Sequence, residues 1–151
     1  MMNLRHLRYF LALAEELHFG RASERLHIEQ SPLSRAIREL EDEVGATLFA
    51  RSNRGTRLTQ AGTTLLEHVP RIFLAVDQAR ASVRDVAAGY TGELRIALSD
   101  GLTPTRLTAL LAHCREESPD LAIHFSEVPL AQQLIGLHEN LYDLALYSPM
   151  R

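Results

Sequence analysis

Lysine is absent: all 16 basic residues of this 151-residue chain are arginine. Every cation is therefore a planar guanidinium able to donate in pairs to a phosphate or a guanine edge, although coding bias accounts for such exclusivity more simply than selection for that chemistry. Cysteine is nearly absent as well. The lone Cys114 excludes an intramolecular disulfide, implies no oxidising compartment, and is expected to be a core thiol. No apolar run approaches the ~20 residues of a membrane-spanning helix. The opening MMNLRHLRYF lacks a signal peptide's charged-then-apolar order, so a cytoplasmic location without membrane contact is expected. Catalytic motifs are missing too: there is no Gly-rich phosphate loop and no nucleophile motif, and the seven histidines are scattered. His113 and Glu116 could share one helical face but have no evident third ligand, so no catalytic residue, metal site or cofactor is expected.

Hydrophobic residues make up 46% and charged residues 23% of the chain, enough apolar content for one ordinary domain or a small domain plus part of another. The net charge of −3 argues against a uniformly basic coating protein, but it hides an uneven distribution. Residues 1–60 carry +1 and residues 61–151 carry −4; between Glu43 and Glu67 there are three arginines and no acid.

The stretch SPLSRAIRELEDEVG, from Ser31 to Gly45, has the strongest pattern. Leu33, Ile37, Leu40 and Val44 recur along one helical side, and Ser31 followed by Pro32 predicts a helix that is capped by Ser31 and starts at Pro32. At ~100° per residue, Ser31, Ser34, Arg35 and Arg38 fall opposite that stripe, a face suited to a DNA groove. Asp42 and Glu43 at the far end are expected to be solvated and directed away from the groove. An earlier apolar face over residues 3–17 predicts a supporting helix, whose Arg5 and Arg8 are expected to be solvated. RASERLHI then supplies a short second helix with Ala22, Leu26 and Ile28 inward. Two short helices joined tightly make a helix-turn-helix, in which the second presents its N-terminal residues to the major groove. The next segment, ARSNRGTRLT, places Arg51, Arg54 and Arg57 around a turn at Asn53 to Gly55 after the strand candidate Leu48-Phe49. This is a basic wing expected to contact phosphate.

The run from Phe19 to Gly62, FGRASERLHIEQSPLSRAIRELEDEVGATLFARSNRGTRLTQAG, resembles the N-terminal domain of LysR-type transcriptional regulators. Ala22, Leu26, Gln30, Ser34, Ile37, Leu40-Glu41, Gly45, Leu48-Phe49, Arg51 and Leu58-Thr59 stand at the family's spacing. The resemblance implies that Gln30, Ser31, Pro32, Ser34 and Arg35 meet an operator. Arg35 is suited to guanine O6 and N7, Gln30 to adenine and Pro32 to a thymine methyl, while Ser34 bonds phosphate. The opening LRHLRYFLALAEELHFGRA is similar to the branch that regulates aromatic and muconate-type catabolism.

From Thr59, TQAGTTLLEHVPRIFLAVDQARASVRDVAAG predicts one long helix with Leu66, Val69, Phe73, Val76, Val83 and Ala87 near heptad spacing. It resembles the family's linker helix, and pairing two copies through Leu66, Val69, Phe73, Val76 and Val83 implies a homodimer or higher oligomer that reads two half-sites of an inverted repeat in double-stranded DNA. Arg80 interrupts the seam and Pro70 is expected to kink the helix. After the break Gly89-Tyr90-Thr91-Gly92, ELRIALS, LAIHFSE and LYDLALY alternate with two helical segments, a β-α-β-α-β order that predicts a parallel sheet. This part resembles the opening of the family's effector-binding domain, whose fold is that of periplasmic binding proteins. The resemblance puts Ser99 and Thr103 beside an anionic effector, a placement also favoured by a helix N-terminus.

The expected architecture is therefore a mainly α winged helix-turn-helix with a long linker helix, followed by a truncated α/β portion. The divisions are 1–59 for DNA binding, 60–89 for linkage and dimerisation, and 93–151 for an incomplete effector-binding domain. A small organic acid effector is expected only if the missing part of that domain is supplied. The implied function is a sequence-specific transcriptional regulator, not an enzyme. The alternative is a truncated partner that dimerises with full-length relatives and interferes with them.

Overall fold

The computed structural model describes residues 1–53, 55–99 and 104–147, so Arg54 of the expected wing and Thr103 of the expected effector loop lie outside the described residues. The chain divides into two compact units, Met1–Phe73 and Leu74–Arg151, with the division falling inside a long helix.

The first unit contains α1 (Leu4–Glu16), α2 (Phe19–Leu26), α3 (Gln30–Val44), the strands β1 (Phe49–Ser52) and β2 (Gly55–Leu58), and the opening turns of α4 (Gln60–Ala87). Each short helix has a local start and stop. Asn3 Oδ1 accepts from the His6 amide at 3.0 Å and His18 Nδ1 accepts from the Arg21 amide at 3.2 Å, satisfying donors that a helix N-terminus leaves open. Leu17 and His27 adopt left-handed backbone at φ 49° and 55°, which ends α1 and α2 and lets the chain reverse within two or three residues. The apolar faces converge on Phe10, Leu13, Leu33, Ile37, Leu40, Leu48 and Val69, all fully buried, with the Phe10 and Phe49 rings 5.4 Å apart.

Two expectations about α3 are corrected. It starts at Gln30 after Glu29, with no side-chain cap, rather than at Pro32 under a Ser31 cap. Pro32 occupies a later position of the first turn, where a missing N–H costs nothing because that N–H has no partner within the helix. Val44 is 40% exposed although its angle places it on the apolar stripe. It sits in the last turn beside Gly45, whose φ of 70° ends the helix, and Ala36 fills the stripe instead. A third feature was not expected: the Glu41 carboxylate accepts from the amides of Leu48 (2.8 Å) and Phe49 (3.1 Å), anchoring the start of β1 to α3.

The wing pairs antiparallel from Phe49 opposite Leu58 to Ser52 opposite Gly55. Thr59 caps α4 as its sequence position suggests: its Oγ1 accepts from the Gly62 amide at 3.0 Å and donates to the Thr47 carbonyl at 2.6 Å. Gly62 is required by close approach, since a Cβ there would stand 2.2 Å from the Leu48 carbonyl oxygen. The helix continues through Pro70.

The second unit comprises the later turns of α4 with β3 (Gly92–Leu98), α5 (Pro104–Glu117), β4 (Leu121–Glu127), α6 (Leu130–His138) and β5 (Leu144–Leu146). Its sheet is parallel in the order β4-β3-β5, the arrangement expected from alternating strands and helices. α4 is tied to this sheet and its connections. Leu74, like Leu137, Leu141 and Ala145, packs against the buried cluster of Ala97, Val128 and Tyr142, and the Gln78 amide donates to the Leu141 carbonyl at 2.5 Å. The third strand is shorter than LYDLALY suggests: it runs Leu144–Leu146, and just before it the Asp143 amide donates to the Arg95 carbonyl at 2.8 Å while its carboxylate accepts from the Arg95 amide and guanidinium. Ile96 is fully buried, whereas Phe125 and Leu144 on the neighbouring strands are exposed. Cys114 is half-buried rather than a core residue. Among the described residues, no helix is long and apolar enough to cross a membrane.

Candidate nucleic-acid interface

α3 divides cleanly by face. Leu33, Ala36, Ile37 and Leu40 are buried against the first unit's core, while Gln30, Ser31, Pro32, Arg35 and Arg38 are exposed and Ser34 is half-buried. Burial of one side fixes the rotation of the helix, so the exposed side chains leave its first turns on a rigid support rather than on a loop. Ser31, Arg35, Arg38 and Asp42 follow one another at helical spacing along one line. Asp42 therefore shares the cationic stripe instead of pointing elsewhere. Its backbone position is about 16 Å along the axis from Ser31, so its negative charge confines the surplus of positive charge on this line to the N-terminal half of α3.

The wing is coupled to that surface through Arg51. Its guanidinium lies over the Phe19 ring at 4.3 Å and donates to Ser34 Oγ at 3.3 Å. Phe19 opens α2 and Ser34 lies in α3, so this one side chain joins wing, first motif helix and second motif helix. Arg57 is exposed on β2.

Ion pairing separates the arginines of the first unit into two groups. Arg25 contacts Glu15 at 2.5 Å and Glu16 at 3.4 Å, and its bond to Glu15 holds the guanidinium above its ordinary value. Arg21 pairs with Glu16 at 3.3 Å. Those two cations tie α2 to the end of α1. Among the described residues, Arg35, Arg38 and Arg57 carry no ion pair, which leaves their charge directed outward.

A groove of about 460 Å³ runs between α1 and the start of α3, lined by Arg5, Tyr9, Glu29, Ser31, Pro32 and Arg35 together with Ala36 and Glu39. Arg5 and Tyr9 thus join Ser31, Pro32 and Arg35, a grouping that sequence spacing did not reveal. The signal available in the sequence was their i, i+4 placement on the outer side of α1, but only packing shows which element that side adjoins.

The candidate dimer-seam residues on α4 are not equivalent. Val69 is fully buried inside the first unit's core, so it faces its own helix-turn-helix rather than a partner helix, a correction to its expected role. Leu66 and Phe73 pack partly against the same core, Val76 is half-buried, and Val83 is 70% exposed. A helix that must cover its own domain cannot present a full heptad stripe outward over those turns. In the second unit, Ser99 directly follows β3 and its amide donates to the Leu146 carbonyl at 3.0 Å.

Comparison with known proteins agrees with this architecture. Residues 4–63 match the family described as bacterial regulatory helix-turn-helix protein, lysR family, and residues 87–149 match the LysR substrate binding domain. The chain is 42% identical over 146 residues to the uncharacterized HTH-type transcriptional regulator YnfL of Escherichia coli K12, covering 96% of this chain and 49% of that protein. It is 38% identical to the HTH-type transcriptional regulator BudR of Klebsiella aerogenes, covering 94% of this chain and all of the BudR sequence compared. Among solved structures, full-length CbnR complexed with its target DNA superposes with a TM-score of 0.77 at 28% identity, covering 99% of this chain and 51% of CbnR. The chain spans about half the length of YnfL and CbnR. With two regions matched in family order and a relative covered end to end, the chain belongs to the LysR family of bacterial regulatory helix-turn-helix proteins.

Proposed function

We propose that this chain is a sequence-specific DNA-binding transcriptional regulator that recognises an interrupted inverted repeat as a dimer or higher oligomer. The observation that carries the reading is the division of α3 into a fully buried apolar side and an exposed side bearing Gln30, Ser31, Pro32, Arg35 and Arg38. A helix held this way enters a major groove with its donors already oriented, so little conformational entropy is lost on binding. Arg35 reads guanine, Gln30 adenine and Pro32 a thymine methyl, while Ser34 and the wing arginines Arg51, Arg54 and Arg57 neutralise phosphate. Arg5, across the groove from Arg35, joins the phosphate-contacting set.

The proposal divides the chain into 1–59 for DNA binding, 60–89 for linkage and dimerisation, and 93–151 for effector sensing. Dimerisation rests on α4, with Val83 and its neighbour Val86, 70% and 74% exposed, as the strongest apolar positions for a partner copy. A small organic acid is the proposed effector class, met at Ser99 and Thr103. A pocket normally encloses ~70–90% of its ligand, so a shift in DNA affinity is expected only where a second wall closes over the sheet.

Selection of bound duplexes from a random pool, repeated at several salt concentrations, tests the reading. An inverted repeat should emerge and affinity should fall steeply with salt; removing Arg57 should reduce the logarithmic salt slope by about one. Arg35→Ala should cost ~1–3 kcal/mol and relax one position in each half-site. Binding that ignores salt, or a selected motif unchanged by Arg35→Ala, overturns it.

A further inference from the structure

The second unit brings three dissimilar donors together from three separate elements. Asp85 lies near the end of α4, Glu93 at the start of β3 and His124 in the middle of β4, and one ligand atom from each lies within 4.8 Å of the other two. β3 and β4 are hydrogen-bonded neighbours, with Glu93 paired to Ala122 and Arg95 to His124, so the sheet register fixes two of the three positions. Further bonds hold α4 to the sheet: the Ser82 hydroxyl donates to Glu93 Oε2 at 2.7 Å, and Asp85 Oδ2 stands 2.5 Å from His124 Nε2.

Those contacts leave one group unaccounted for. Glu93 Oε1 is shielded from solvent and has no hydrogen-bond partner among the described residues. A buried carboxylate oxygen without a donor is costly, and the Glu93 carboxylate that carries it shares its surroundings with the Asp85 carboxylate, so one imidazole faces two acids. Even a protonated His124 balances only one of the two negative charges. A divalent cation would balance both and give Glu93 Oε1 the electrophilic partner it lacks. The donor set is one nitrogen and two carboxylate oxygens, which suits zinc and similar late divalent transition ions. Ligands on a tetrahedral zinc at ~2.1 Å stand about 3.4 Å apart, so the His124–Asp85 pair opens from 2.5 Å while Glu93 closes from within 4.8 Å, each by modest side-chain rotation. Access is open: Asp85 and His124 line a groove of about 670 Å³ that also includes Tyr90, Leu111 and Arg115.

We propose that Asp85, Glu93 and His124 form a divalent transition-metal site of the zinc class, with water completing the coordination. The ion replaces the direct bond between His124 and Asp85 and pins the last turns of α4 to β3 and β4 within the second unit. The site is independent of DNA recognition, whose residues lie in the first unit.

The test uses the full chain, stripped by chelator and titrated with zinc in a calorimeter. One ion per chain should bind with a dissociation constant below about 10 µM and raise the thermal midpoint of the second unit. His124→Gln and Glu93→Gln should each weaken binding at least tenfold, whereas His113→Gln, at the exposed surface pair, should leave it unchanged. Cobalt substitution on the unaltered chain supplies a readout that does not depend on variants folding: visible ligand-field bands without a thiolate charge-transfer band are expected. Absence of saturable binding below 100 µM, or full affinity in folded His124→Gln and Glu93→Gln chains, overturns the proposal. A thiolate band would overturn it too, by assigning the ion to Cys114.

Discussion

The two units of this chain bury apolar surface to very different depths. The first closes four helical segments around Phe10, Leu13, Leu33, Ile37, Leu40, Leu48 and Val69, each fully buried. The second covers a three-stranded sheet unevenly: Ile96 and Ala97 of the central strand are buried, but Phe125, Leu130, Leu134, Ile135, Leu144 and Tyr147 are all exposed. Because transfer free energy follows the apolar area removed from water, most of the hydrophobic stabilisation belongs to the first unit. The second relies proportionally more on polar ties, namely Gln78 to Leu141, Ser82 to Glu93, His124 to Asp85 and Arg95 to Asp143. The exposed arginine-bearing face of α3 thus stands on the better-packed half, and the half matched to the substrate-binding domain is the one with weaker cohesion.

Core truncation should show the contrast most strongly. Phe10→Ala removes a fully buried ring that packs, tilted, against the Phe49 ring, so urea unfolding of the first unit should lose ~3–5 kcal/mol of stability. A loss below 1 kcal/mol would mean this core is no tighter than the second. Hydrogen exchange on the intact chain sharpens the same point. Amides of α1 and α3 should exchange more slowly than those of α5 and α6, and equal protection would erase the distinction.

The next effect concerns the helix shared by both units. Pro70 lacks the N–H that would bond to the Leu66 carbonyl, and it is exposed. Interior proline costs a helix ~3 kcal/mol, so Pro70→Ala should tighten self-association measured by sedimentation, by up to that amount. Unchanged or weaker association would show that the interruption is accommodated or needed.

A smaller effect comes from the Arg95–Asp143 pair. Its guanidinium hydrogen bonds lower the Asp143 carboxyl below its ordinary value and raise Arg95. A depressed folded-state value means the stabilisation is fully present above the unfolded carboxylate range, near ~3.9, and is lost as pH falls through the lower folded value. Asp143 is 38% exposed, so solvent screening holds the contribution to under about 1 kcal/mol. Asp143→Asn should destabilise the second unit at pH 7 and flatten its acid unfolding curve below pH 4; an unaltered curve would remove the pair from the list of ties. The smallest change is expected at Leu134, which is 72% exposed. Leu134→Ala should alter stability by no more than ~0.5 kcal/mol, and a larger loss would reveal a partner surface on α6.

Much of this could be read in advance from periodicity. The apolar stripe of residues 33–40, the Thr59 cap, the pairing of the neighbouring strands β1 and β2 and the alternation in ELRIALS and LAIHFSE each involve residues close in sequence, so local spacing carries them. The same local rule placed Ser31, Arg35 and Arg38 opposite the buried stripe. It also misled where position along an axis outweighed angle: Val44 lies on the stripe yet beyond the core, and Val69 carries a seam-like spacing while serving its own domain. Other features depend on residues far apart in the chain. Glu41 on the amides of Leu48 and Phe49, Arg51 between Phe19 and Ser34, Arg5 and Arg35 lining one groove, and the trio Asp85, Glu93 and His124 have no common period. Periodicity assigns each residue a face of its own element; which other element lies against that face depends on how the elements pack, and these sites arise only from that packing.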